Sequence, residues 1–125
     1  MVANILLYIG SIITIGWGIA HIIPARAVVK GFGDISEDSK KFILMEWVAE
    51  GLMLCFIGVL VLLTNIVGGT TNELSRAVFR ISAGMLVVMA VWTALTGART
   101  SNIPTKICPF ILTAIAVMYI VSSLI

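Results

Sequence analysis

Residues 42–63 read FILMEWVAEGLMLCFIGVLVLL, an apolar stretch interrupted only by Glu46 and Glu50. A transmembrane helix needs about 20 consecutive, mostly apolar residues, so this stretch is long enough to cross a bilayer. The i, i+4 spacing of the two carboxylates puts them on one face of the helix. Ionisable side chains inside a membrane are costly to bury and by default mark a functional site. The stretch therefore predicts a membrane protein and indicates where its site lies.

The composition of the whole chain also indicates a membrane protein. Of 125 residues, 60% are hydrophobic and only 11% are charged, whereas a soluble domain carries about 25% charged residues. Four stretches are long and apolar enough to span a bilayer, at about residues 3–23, 42–66, 78–97 and 105–125. The first lacks the basic start and the cleavage site of a signal peptide, so we expect it to be retained. We predict an all-α integral membrane four-helix bundle that forms a single domain over residues 1–125.

Lysine and arginine are distributed unevenly over the predicted connections, which indicates the orientation in the cell membrane. The first and third connections hold Arg26, Lys30, Lys40, Lys41, Arg99 and Lys106, and the other side holds only Arg76 and Arg80. Cytoplasmic loops are enriched in these residues. We therefore predict that the first and third connections are cytoplasmic and that both termini lie outside. The net charge is only +2, without a basic stripe, so no nucleic-acid partner is expected.

Polar residues are predicted to gather in the cytoplasmic half of the bundle. His21 lies at the end of the first span, and Trp17 lies one turn deeper. At 1.5 Å per residue, depth pairs His21 with Glu46 and Trp17 with Glu50. Few polar residues are expected in the outer half. We predict a one-sided ligand pocket that opens toward the cytoplasm, lined by Trp17, His21, Glu46, Glu50 and Trp92.

Each of these residues also has a structural interpretation. Glu46 is shallow enough to be hydrated at the surface, and the Glu50 carboxyl also suits a hydrogen bond between helices. Histidine and tryptophan side chains are common at membrane interfaces. One histidine and two glutamates are too few ligands for a tetrahedral zinc or di-iron site, so no metal site is predicted. No set of residues identifies an enzymatic reaction or a cofactor.

Smaller residues predict local features of the bundle. Gly16, Gly18, Gly51 and Gly58 predict close helix packing. Residues 36–38 predict a helix start, and Pro104 and Pro109 are expected in the first turn of the fourth helix. Cys55 and Cys108 are predicted to lie about 15 Å apart along the bundle, beyond the reach of a disulfide.

The layout and the second span resemble the DoxX-like family of small four-span membrane proteins. The segment EGLMLCFIGVLVLL, residues 50–63, is similar to the glutamate-led, glycine-spaced second helix of that family. Residues 10–21, followed by Pro24, match the end of its first helix, so about half of the chain is covered. The arginine that such proteins carry early in the first span is absent, and the loop at residues 30–34 has no counterpart. The resemblance implies the four-helix fold, and some members are similar to subunits of a quinone-reducing thiosulfate oxidoreductase.

These observations leave three hypotheses for function. In the first, the pocket binds a lipophilic ligand, a quinone or a membrane lipid, in a DoxX-like accessory or redox-linked role. Glu50 then bonds the polar head of the ligand, and His21 or Glu46 exchanges protons with the cytoplasm. In the second, the chain is a small homo-oligomeric transporter or channel coupled to protons or cations. In the third, it is a structural interaction module. Because so small a chain has limited surface for enclosing a cavity, we expect a homo-oligomer.

Overall fold

A computed structural model describes the whole chain, residues 1–125. The chain forms five α-helices: α1 (Val2–Ile22), α2 (Ala25–Lys30), α3 (Glu37–Gly68), α4 (Glu73–Leu95) and α5 (Ile103–Leu124). A short 3₁₀ helix, Gly97–Arg99, lies between α4 and α5. Helices α1, α3, α4 and α5 are long and apolar enough to cross a membrane. The predicted all-α membrane bundle of four spanning helices is therefore confirmed.

Side-chain caps determine where the two middle spanning helices begin. The Ser36 hydroxyl accepts a hydrogen bond from the Ser39 N–H at 3.1 Å, which confirms the predicted start of α3. The Asn72 side chain accepts a hydrogen bond from the Leu74 N–H at 2.8 Å. Helix α4 therefore begins at Glu73 and not at about residue 78 as predicted. The hydropathy pattern misses this first turn because it is polar, whereas capping extends the helix into it.

Two further features differ from the sequence-based expectation. The short helix α2 lies in the first connection and was not predicted, because six residues are too few to show a helical hydrophobic period. Pro109 lies inside α5 and not in its first turn, which Pro104 occupies. Since proline has no N–H, position 109 donates no hydrogen bond to the Thr105 carbonyl one turn earlier. The backbone ladder of α5 is thus interrupted near the end of the bundle where Thr105 lies.

The helices pack as two antiparallel pairs, α1 with α3 and α4 with α5. Helix α1 also packs against α5, whereas α3 and α4 make the fewest contacts among these packed pairs of spanning helices. Both termini and the connection at residues 69–72 lie at one end of the bundle, called here the terminus end. The connections at residues 23–36 and 96–102 lie at the other, called here the Pro24 end. The seam between α3 and α4 is therefore the loosest part of the bundle.

Glycines allow α1 and α3 to approach closely. A Cβ atom added to Gly51 would lie 2.7 Å from the Gly18 carbonyl oxygen, and one added to Gly58 would lie 2.9 Å from the Ser11 carbonyl oxygen. The predicted close packing is thus confirmed for Gly18, Gly51 and Gly58. It is wrong for Gly16, which has no neighbour within 4 Å because it lies on the outer side of α1.

The core and the exterior of the bundle are both apolar. The buried cluster is formed by Leu7, Leu54, Ile57, Val61, Phe79, Ala83, Leu86, Ala90, Cys108, Leu112, Ile115, Ala116 and Tyr119. Large apolar side chains are also exposed in the middle of the spans, among them Ile12, Phe56, Leu63, Ile81, Val88 and Phe110. Soluble monomers rarely expose so much contiguous apolar surface. A bilayer covers such an exterior.

The terminus half of the bundle holds more buried polar groups than expected. Buried side chains there include Ser11, Thr14, Asn65, Ser75, Ser82, Ser122 and Ser123. The Arg80 guanidinium donates hydrogen bonds to the Ser123 hydroxyl and carbonyl oxygens, both at 3.2 Å. The prediction that this half is poor in polarity is therefore wrong. Single serines and asparagines hardly change the mean hydropathy of an apolar helix. Hydropathy averaged over a whole span therefore does not detect them.

Candidate functional site

A cavity of about 480 Å³ lies between α3 and α4 in the Pro24 half of the bundle. Its lining residues are His21, Glu46, Trp47, Ala49, Glu50, Met53, Met85, Met89, Trp92, Thr93, Thr96, Gly97, Thr105 and Cys108. Met53, Met85 and Trp92 are also exposed on the outside of the bundle. Because these residues lie on both sides of the loose seam, the cavity opens to the exterior between the two helices.

His21, in the last turn of α1, is fixed by its own helix. Its Nδ1 atom lies 2.8 Å from the Trp17 carbonyl oxygen. A carbonyl oxygen only accepts hydrogen bonds, so this partner assigns the proton to Nδ1 and leaves a lone pair on Nε2 in the neutral ring. Nε2 lies 3.9 Å from Glu50 Oε1. Two hydrogen-bond acceptors, the Nε2 lone pair and the Glu50 carboxylate, therefore face each other. A proton or a cation placed between them would interact favourably with both.

Two indole rings hold the imidazole in place. The His21 ring stacks on Trp47 with a centroid distance of 5.2 Å, and it meets Trp17 edge to face at 5.6 Å. His21 is only 5% exposed. Its orientation toward Glu50 is therefore set by packing on both sides of the ring.

Cys108, in the second turn of α5, completes the polar inner end of the cavity. Its thiol is buried and receives a hydrogen bond from the Trp17 indole N–H at 3.3 Å. One ligand atom from each of His21, Glu50 and Cys108 lies within 4.8 Å of the others. The three residues come from α1, α3 and α5, so no sequence spacing links them. The sequence-based prediction of the site did not include Cys108.

The predicted depth pairing is wrong. His21 is next to Glu50 and Trp47, and not next to Glu46. Gly18 lies opposite Gly51 in the antiparallel pair, so position 21 is level with about position 48. The prediction aligned it with position 46, an error of two residues or about 3 Å along the helix. The close glycine contact sets this register, and hydropathy alone does not reveal it.

The other predicted site residues surround the same cavity. Glu46 is exposed at its rim, and Trp92 forms part of its outer wall. Trp17 does not line the cavity but lies behind it, bonded to both His21 and Cys108. Cys55 and Cys108 are both free, as expected.

No protein-family model, no curated protein and no solved structure matches this chain. The resemblance to the DoxX-like family therefore stays a prediction.

Proposed function

We propose that this membrane protein binds a lipophilic ligand, a quinone or a lipid, in the cavity between α3 and α4, in a DoxX-like accessory or redox-linked role. The observation that carries the proposal is a cavity that combines apolar side chains, among them three methionines, with the polar groups of His21, Glu50 and Cys108 at its inner end. Its volume of about 480 Å³ falls within the range of about 300–1,000 Å³ that small-molecule sites occupy. Cavities of this kind bind ligands through apolar contact and a few oriented polar groups.

The lining suggests how such a ligand would be oriented. Met53, Met85 and Met89 provide flexible apolar contacts for a tail that enters through the seam from the bilayer. The polar head then reaches Glu50 and His21 at the inner end. The Glu50 carboxyl accepts a hydrogen bond from a hydroxyl group when it is ionised and donates one to a carbonyl oxygen when it is protonated. Glu46, at the rim, connects the site to water.

Titration of the purified protein with a short-chain quinone analogue tests this proposal, with quenching of tryptophan fluorescence as the signal. Because Glu50 provides the polar contact, Glu50→Gln should raise the dissociation constant about tenfold. This corresponds to a loss of about 1.4 kcal/mol of binding free energy. The matched variant Glu46→Gln keeps its side chain at the rim and should change binding less than threefold. Wild-type affinity in Glu50→Gln would refute the proposal. Phospholipid adducts in native mass spectra, with no quinone binding, would identify the ligand as a lipid.

A small homo-oligomeric transporter or channel coupled to protons or cations is the second candidate. Buried polar groups in the terminus half favour it, especially Asn65 and Ser11, whose side-chain polar atoms have no hydrogen-bond partner. Flux into liposomes that Glu50→Ala abolishes would support transport, and a monodisperse monomer in mild detergent would contradict the oligomer. If Glu50→Gln lowers only stability, the chain is a structural module.

A further inference from the structure

We propose that His21, Glu50 and Cys108 bind a single divalent ion of the zinc class at the inner end of the cavity. An imidazole nitrogen, a carboxylate oxygen and a thiolate sulfur are the three ligand types that zinc accepts. Three protein ligands with a fourth open position are typical of zinc sites that also bind a small molecule. The ligand count from sequence was too low because it left out Cys108. The ion site goes beyond the proposed lipophilic ligand and does not depend on it.

The distances are close to those of a tetrahedral site. With metal–ligand bonds of about 2.0–2.3 Å, neighbouring donor atoms lie about 3.3–3.8 Å apart. His21 Nε2 and Glu50 Oε1 are 3.9 Å apart, and all three donor atoms lie within 4.8 Å of one another. Each pair of donor atoms therefore has to approach by about 1.5 Å at most. The Glu50 side chain makes no hydrogen bond that would resist this movement and is 29% exposed.

Trp17 orients two of the three ligands. Its carbonyl oxygen accepts the His21 Nδ1 proton, which leaves Nε2 free for the metal. Its indole N–H donates to the Cys108 sulfur. Histidine ligands in metal sites commonly donate their other N–H to a carbonyl or carboxylate in this way. Trp17 is thus a positioning residue for the ion.

The charges of the site also fit a divalent cation. One thiolate and one carboxylate neutralise a charge of +2, and the imidazole is neutral, so the occupied site carries no net charge. Neutrality matters here because an uncompensated charge is costly in an apolar medium. All three ligands line the cavity. The fourth coordination position therefore faces the cavity and is open to water or to an oxygen atom of a ligand.

Metal titration of the full chain tests the site. The protein is purified in mild detergent, stripped with a chelator and titrated with Zn²⁺. We expect one ion per chain, with affinity reduced at least tenfold in His21→Gln, Glu50→Gln and Cys108→Ser. Glu73→Gln and Cys55→Ser replace the same residue types outside the cavity and should bind as the wild type does. Trp17→Phe keeps the carbonyl but loses the indole N–H, and should weaken binding about tenfold.

Two measurements on the unmodified protein keep the test independent of how the variants fold. Zn²⁺ should protect Cys108, but not Cys55, from a small thiol reagent. Co²⁺ should bind with a thiolate-to-metal charge-transfer band. Absence of binding, unchanged affinity in Cys108→Ser, or a Co²⁺ complex without that band would overturn the proposal. Quinone binding measured in the presence of chelator separates the two proposals, because Cys108→Ser should lose the ion and keep the quinone.

Discussion

Replacing Gly51 by alanine should force α1 and α3 apart and disturb the site. The added Cβ would lie 2.7 Å from the Gly18 carbonyl oxygen, 2.6 Å from the Ile22 side chain and 3.1 Å from the His21 Cβ. The oxygen would have to withdraw by about 0.7 Å to reach ordinary contact at 3.4 Å. Overpacking of this kind costs about 1–3 kcal/mol. We expect Gly51→Ala to lose about 1–2 kcal/mol of unfolding free energy, because alanine regains part of the cost through its better helix propensity.

The assay is unfolding of the purified protein in detergent by increasing SDS, followed by circular dichroism. Gly16→Ala is the matched control, because Gly16 belongs to the same pair of helices, on α1, but a Cβ added there would meet nothing within 4 Å. It should be as stable as the wild type or up to about 1 kcal/mol more stable. The reasoning would be refuted if Gly51→Ala matched Gly16→Ala in stability.

The same substitution should also affect binding, because the added Cβ would lie only 3.1 Å from the His21 Cβ. Moving His21 away from α3 lengthens its distance to Glu50, which is 3.9 Å in the wild type. Affinity for Zn²⁺ should therefore fall in Gly51→Ala and stay unchanged in Gly16→Ala. Equal affinities in the two variants would show that the register of α1 and α3 does not control the site.

Three further predictions concern the rest of the bundle. Tyr119→Phe removes the hydroxyl group that lies 3.1 Å from Thr14 Oγ1 in the core and should cost about 1 kcal/mol in SDS unfolding; no loss would contradict this. Arg80→Met removes two hydrogen bonds to Ser123 and should lower the unfolding free energy by about 1–3 kcal/mol. The surface control Lys40→Ala should lower it by at most about 0.5 kcal/mol. Equal losses in the two variants would contradict the importance of the Arg80 hydrogen bonds. Cysteines introduced at Thr71 and Ser101 should differ in whole cells, with only position 71 labelled by an impermeant reagent.

The fold was predictable because it depends on the hydropathy and length of continuous stretches of the chain, which can be summed from the sequence. Apolar stretches of sufficient length define the spans, and the Ser36 cap marks the start of α3. The membrane helices could thus be located to within a few residues, except for the first turn of α4. Sidedness was inferred from lysine and arginine counts and stays a prediction.

The site was predictable only in part, because it depends on how helices align with one another. Sequence placed His21, Glu50 and Trp92 at the correct end of the bundle, and all three line the cavity. It paired His21 with the wrong glutamate because the contact between Gly18 and Gly51 sets a register that hydropathy does not encode. Cys108 was missed as a partner for the related reason that α5 shares no local spacing with α1 or α3.

The three methionines in the cavity wall have a consequence for selectivity. Met53, Met85 and Met89 have unbranched side chains that rearrange at little cost, and two of them lie beside the loose seam between α3 and α4. Such a wall adapts to tails of different length and branching, whereas the inner end is held rigid by stacked rings. Ligands should therefore be discriminated by head group, and a series that shares one head with varied tails should bind with similar affinity.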